Sequence, residues 1–278
     1  MLFGYNTNGF AHHRLEDALE ILAELGYESV AITLDYHALN PFDFEGRQGE
    51  RIRCLLDSLD MNCVIETGAR FLLDPRRKHQ PTLLSKGAEE KRRRRDFMRR
   101  AIDIAADLRA DAVSFWSGTP EDPAKPGLMD RLAEDCNSLC DYAVPKVRLA
   151  FEPEPGMFID TMAKFEELHR RVDHKAFGLT LDVGHLHCQG ELPIADHIHR
   201  WKDWLWNVHI EDMHRGIHEH LMFGEGDMDF PPIFAALREI GYGAGVHVEL
   251  SRHSHDAVNT AEWALAFLRH EEQRTTQA

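Results

Sequence analysis

Eight short apolar runs, each followed by a longer amphipathic segment, limit what this 278-residue chain can fold into. The runs fall at 2–6, 29–34, 62–66, 112–116, 147–152, 178–182, 205–210 and 245–249. The segments between them place apolar residues at helical spacing over about 12–25, 45–60, 86–109, 127–142, 160–174, 193–203, 230–240 and 255–270. Short apolar runs bounded by turns read as strands buried on both faces, as in parallel sheets. Gly26 follows ALEILAEL and Gly241 follows IFAALREI, where helix C-termini favour glycine. Eight strand–helix units in this length predict an α/β fold, a single (β/α)8 TIM barrel. A doubly wound sheet would also alternate, but the first turn lacks a glycine-rich phosphate fingerprint. No linker rich in Pro, Gly or Ser divides the chain, so one domain is expected over 1–270. The polar stretch after Leu268 reads as frayed, with 271–278 a C-terminal tail.

The last four runs each carry a polar group at their end: Glu152 after VRLAF, Asp182 after FGLTL, His209 after WLWNV and Glu249 after AGVHV. A charge at the end of a buried strand is costly unless it has a partner or a task. Parallel strands around one axis bring such groups together. Three carboxylates and an imidazole suit a hard or borderline divalent cation and leave coordination positions open for two substrate oxygens. A cation there polarises a carbonyl, and the two glutamates can act as acid and base on opposite faces. Other strand ends offer Asn6, Thr7, Asp35, Glu66 and Trp116, of which Glu66 and Trp116 are candidate substrate contacts.

A formal net charge of −15 argues against nucleic acid and against anionic membranes. The run Lys91–Arg95, with Arg99 and Arg100, lies in a helical pattern and reads as a solvated outer face. The N-terminal MLFGYNTNGF does not read as a signal peptide, and no apolar run approaches a membrane span. The five cysteines, Cys54, Cys63, Cys136, Cys140 and Cys188, contain no CxxC pair, which favours a reduced, cytoplasmic compartment. Cys136 and Cys140 read as two buried thiols on one helix face.

The motif Asp182-Val-Gly-His185, then His209-Ile-Glu-Asp212, a Gly224-x-Gly226 turn and Glu249 resemble the xylose isomerase-like TIM-barrel superfamily. That superfamily includes sugar and sugar phosphate isomerases and epimerases, inosose and dehydroshikimate dehydratases, and type IV apurinic endonucleases. The motifs cover 148–250, and the first half matches only in rhythm. The resemblance to ketose epimerases implies Glu152, Asp182, His209 and Glu249 as metal ligands, with Glu152 and Glu249 the proton-transfer pair. It implies His185 as a substrate-hydroxyl binder and Arg215 as a substrate-holding arginine. The cation expected is Mn²⁺, with Mg²⁺, Co²⁺ or Zn²⁺ as alternatives. The reaction expected is isomerisation or epimerisation of a sugar, sugar phosphate or keto-polyol through a metal-bound enediolate. A dehydratase or lyase acting on a keto-inositol or an oxidised glycoside is the first alternative, and a non-catalytic metal-binding barrel the second. The partner expected is a small sugar-like molecule, and a homo-oligomer, dimer or tetramer, is left open.

Two stretches depart from the pattern. His214, His218 and His220 follow His209, and His218 and His220 align with an Asp-x-His pair that holds extra zinc in type IV endonucleases. The other histidines of those enzymes have no counterpart after the third and fourth strands, which argues against DNA phosphodiesterase activity. A second metal, or a mobile loop covering the substrate, is the expectation for His218 and His220. In Phe151-Glu152-Pro-Glu154, Glu154 either contacts substrate or shapes the turn. The irregular segment 67–85 brings Arg70, Arg76, Arg77, Lys78 and His79 toward the catalytic face, where they can attract a phosphorylated or carboxylated substrate. Trp116 and Phe71 offer apolar faces for a sugar ring.

Overall fold

The computed structural model describes residues 1–36 and 38–276. Among the described residues the strands are β1 Leu2–Asn6, β2 Ser29–Thr33, β3 Asn62–Glu66, β4 Ala112–Phe115, β5 Arg148–Phe151, β6 Phe177–Asp182, β7 Leu205–Ile210, β8 Asp212–His214, β9 Ile217–Leu221 and β10 Gly245–Val248. The helices are α1 Leu15–Leu25, α2 Gly46–Ser58, α3 Ala88–Leu108, α4 Leu128–Ala143, α5 Met162–Val172, α6 Val183–Gln189, α7 Ile194–Trp201, α8 Pro231–Glu239 and α9 Ala257–Thr276. Eight strands close a parallel barrel in the order β1-β10-β7-β6-β5-β4-β3-β2, while β8 and β9 form a separate antiparallel hairpin. This is the (β/α)8 barrel that the alternation predicts.

Local sequence explains the ring. In α1, Leu15, Ala18, Leu19 and Leu22 share one helical face and are buried, and Gly26 at φ 97° ends the helix by donating to the Ala23 and Leu22 carbonyls. Thr161 starts α5 by accepting from the Lys164 amide at 3.3 Å. Phe165 on α5 is fully buried, its ring centroid 6.1 Å from those of both Phe151 and Phe177, so α5 is stapled to the barrel by aromatic contacts.

The barrel interior is partly polar. His247 fills it only because its neighbours are glycines: a Cβ on Gly4 or on Gly245 would stand 2.2 Å from the ring. Ser29 Oγ lies 2.8 Å from His247 Nε2, and His247 Nδ1 lies 2.8 Å from Asn207 Oδ1. Buried polar groups are tolerable when they satisfy one another in this way.

Three expectations need correction. The segment after Leu268 is not frayed: α9 runs to Thr276, Glu271 is buried, and the Arg238 guanidinium donates to Thr275 Oγ1 at 3.1 Å. Of the expected tail, 277–278 lie outside the described residues. The basic run of α3 is not uniformly solvated, because Arg94 is only 1% exposed. The histidine-rich stretch, expected as an irregular loop, is the antiparallel hairpin β8–β9. Asp212 braces it by accepting from the amides of Met213, Gly224, Gly226 and Met228 at 2.9–3.2 Å. Asp227 ties it down further, 2.5 Å from His187 Nε2 and 3.5 Å from His214 Nδ1. No described helix is long and apolar enough to cross a membrane. The five cysteines are unpaired, and Cys136 and Cys140 are both buried on α4.

Candidate metal centre and active site

The four strand-end groups meet at the C-terminal mouth of the barrel. Glu152 follows β5, Asp182 ends β6, His209 stands near the end of β7 and Glu249 follows β10. His209 Nδ1 lies 3.0 Å from Glu152 Oε1, 3.1 Å from Glu249 Oε2 and 4.0 Å from Asp182 Oδ2. Ligand atoms from all four residues fall within 4.8 Å of one another. Asp182 divides its carboxylate between two tasks. Oδ1 caps α6 by accepting from the His185 amide at 2.8 Å, and Oδ2 is buried with no hydrogen-bond partner. An orphaned, buried carboxylate oxygen beside two further carboxylates and an imidazole nitrogen fits a divalent cation.

Electrostatics separates the two glutamates. Burial pushes Glu152 up to about 7, against the pull of His209. Burial also acts on Glu249, but the hydrogen bond to His209 and the charges of His220 and His209 hold it well below the usual carboxylate range. Two carboxyl groups whose environments separate them in this way are suited to opposite proton-transfer roles.

Glu66 at the end of β3 places Oε1 2.9 Å from His209 Nε2, and Asn207 Nδ2 donates to the same oxygen at 3.2 Å. A cavity of about 300 Å³ opens above, lined by Glu66, Trp116, Glu152, Glu154, His209 and Glu249, and by His218 and His220 from the hairpin. His185 is buried beside it, with Nδ1 3.8 Å from both Glu152 Oε1 and Glu154 Oε2 and Nε2 3.0 Å from His218 Nε2. His185, His218 and His220 form a second group of convergent nitrogens, and Asp182, Glu211 and His220 a third.

Arg215 and Phe71 stand apart. Arg215 is exposed in the turn between β8 and β9, its guanidinium over Gly190. Phe71 is 48% exposed and does not line the cavity. Several residues that do contribute carried little sequence signal. Asn8, just past β1, donates Nδ2 to Glu249 Oε1 at 2.9 Å. Arg252 lines the cavity and pairs with Glu219. Glu211 is fully buried with both carboxylate oxygens lacking a hydrogen bond, and its Oε1 would be 1.9 Å from a Cβ on Gly184, so the glycine of the DVGH motif makes room for it.

A family model described as xylose isomerase-like TIM barrel matches residues 19–271. The chain belongs to this family. An inosose dehydratase of Lacticaseibacillus casei is 28% identical over 154 residues, which covers 49% of this chain and 51% of that protein. The chain matches about half the length of its first curated relatives. Among solved structures, the IOLI protein with a binding zinc atom superposes with a TM-score of 0.80 at 17% identity, covering 99% of each chain. A D-allulose 3-epimerase from Methylomonas sp., in complex with D-allulose, gives 0.74 at 18% identity, covering 98% of this chain and 97% of that one. At such identities the structural likeness speaks for the barrel fold.

Proposed function

We propose that this member of the family is a metal-dependent enzyme that moves a proton next to the carbonyl of a sugar-like substrate, giving isomerisation or epimerisation. The observation that carries this reading is the pair Glu152 and Glu249, which reach His209 Nδ1 at 3.0 and 3.1 Å from different strands at the barrel mouth. Glu152, Asp182, His209 and Glu249 would hold the cation. Bound there, the cation supplies Lewis-acid polarisation of the carbonyl. Glu249 accepts the proton from carbon, and Glu152, on a different strand, returns one on the other face. Glu66 fixes the His209 ring, Asn8 steadies Glu249, and the hairpin carrying His218 and His220 shields the site from water. His185, Glu154 and Trp116 are the proposed substrate contacts, and Arg215 is retained only as a residue that a hairpin shift would have to recruit.

The mixed oxygen and nitrogen donors suit Mn²⁺, with Mg²⁺, Co²⁺ and Zn²⁺ as alternatives. The unpaired cysteines favour a cytoplasmic setting, and the net charge of −15 disfavours nucleic acid. A second reading is supported by the inosose dehydratase relatives: loss of a β-hydroxyl after the same proton abstraction. Incubation of the Mn²⁺-loaded protein with ketoses and keto-inositols, followed by chromatographic separation and mass spectrometry, separates the two. A product of unchanged mass supports the isomerase, and loss of one water supports the dehydratase. No product from any of these substrates counts against both.

A further inference from the structure

The β3–α3 connection is a built wall rather than a loose loop. Leu72, Leu73, Leu83 and Leu84 bury it against the core. The His79 amide donates to the Arg70 carbonyl, and His79 Nδ1 donates to the Gly68 carbonyl at 2.7 Å. The basic residues of this segment are sorted by direction. Arg77 is tied outward to Asp74 and Glu90, and Arg76 is exposed away from the cavity. Arg70, Lys78 and His79 line the cavity itself. Neither Arg70 nor Lys78 forms an ion pair among the described residues, although four carboxylates, those of Glu66, Glu152, Glu154 and Glu249, line the same space.

Behind this wall lies a second anomaly. The Arg94 guanidinium is buried without a carboxylate, between the rings of Phe97 at 5.0 Å and Trp116 at 4.8 Å. Its one hydrogen bond goes to the Thr67 carbonyl at 3.3 Å, and Nη1 has no partner. A buried cation without a counter-ion is costly to keep. Burial pushes His79 down to about 4, and the charges of Lys78, Arg94 and Arg70 push the same way. Two cations therefore line one side of the cavity, with a third, Arg94, buried behind Trp116, in a protein that is otherwise strongly acidic.

We propose that Arg70 and Lys78, backed by the buried Arg94, form a subsite for an anionic group, a phosphate or a carboxylate, carried by the sugar-like substrate away from its reacting carbonyl. Guanidinium and ammonium groups left free toward a cavity offer charge-assisted hydrogen bonds to such an anion. The glutamates of the metal centre would repel it from the reacting end. The inference rests on the sugar-like reading of the pocket given above.

The test is equilibrium binding, independent of turnover. Dissociation constants of the Mn²⁺-loaded protein are measured for D-fructose, D-fructose 6-phosphate and D-fructuronate, which share a carbon skeleton. At least one anionic sugar is expected to bind about tenfold or more tightly than D-fructose, and the tighter of the two identifies the anion. Arg70→Met with Lys78→Met should bring that ratio toward one. Arg70→Lys, which keeps the charge, should retain part of it, and circular dichroism excludes a folding defect. A wild-type protein that binds neither anionic sugar more tightly than D-fructose overturns the proposal, as does a preference that survives the double substitution. A protein that shows the preference but exchanges no proton would sink the proposed reaction and leave this subsite standing.

Discussion

Glu66 Oε1 stands 2.9 Å from His209 Nε2, on the opposite edge of the imidazole from Nδ1, which Glu152 and Glu249 approach at 3.0 and 3.1 Å. A carboxylate behind a histidine ligand fixes its tautomer and raises its basicity. Glu66→Ala is expected to weaken divalent-metal binding about 10- to 100-fold, measured by competition with a chromogenic chelator. Glu66→Gln, whose carbonyl can still accept, should fall between the two. Unchanged affinity in Glu66→Ala would remove Glu66 from the centre.

Glu152→Gln and Glu249→Gln each keep a carbonyl oxygen in place but lose the transferable proton or its acceptor. Each is expected to lower kcat by about 10²- to 10⁴-fold. Steady-state rates on metal-saturated protein provide the measurement, with metal content determined in parallel. Full activity in either variant contradicts the acid–base pair.

Asp212 accepts four backbone amides, one from its neighbour Met213 and three from Gly224, Gly226 and Met228 in the segment after β9. Asp212→Ala leaves those donors without partners and should cost about 1–3 kcal/mol in urea unfolding. Hydrogen exchange should speed up selectively over β8, β9 and the Gly224–Gly226 turn. Exchange that rises uniformly across the barrel would show that Asp212 supports the whole fold rather than the hairpin.

Burial pushes His247 down to about 3. Its ordinary value is near 6.5, so below that pH the unfolded chain takes up a proton that the folded protein refuses. The stability due to neutral His247 is therefore complete above about pH 6.5 and is lost as pH falls. Relative to a His247→Gln variant, the wild type should lose on the order of 3 kcal/mol between about pH 7 and pH 4. Urea unfolding of both proteins across that range checks the sign. A wild type that gains on the variant during acidification contradicts it.

The barrel and the convergence of four polar groups at its mouth were legible because each rests on a local rule. Apolar runs must be buried, and Glu152, Asp182, His209 and Glu249 interrupt them where the strands end. The hairpin was not legible, since HEHLM shows no alternation and the turn after it is held by the Asp212 carboxylate, a contact that sequence spacing does not reveal. Arg94 had a readable signal that the surrounding basic run obscured. It shares a helical face with Phe97, Met98 and Ala101, all buried. Arg215 shows the reverse: the motif fixes its position in the chain, while the turn that carries it leaves the side chain exposed over Gly190. Asn8 and Arg252 sit beyond strand ends, where orientation depends on packing across the barrel rather than on sequence spacing.

Solvent deuterium wash-in tests the central claim most directly. Mn²⁺-loaded protein in D₂O is incubated with a set of ketoses and keto-inositols, and the sugars are examined by NMR for deuterium at the carbon next to the carbonyl. The account predicts metal-dependent incorporation into at least one of them, abolished by a chelator and by Glu249→Gln. Stoichiometric metal binding with no exchange into any of these sugars would contradict it.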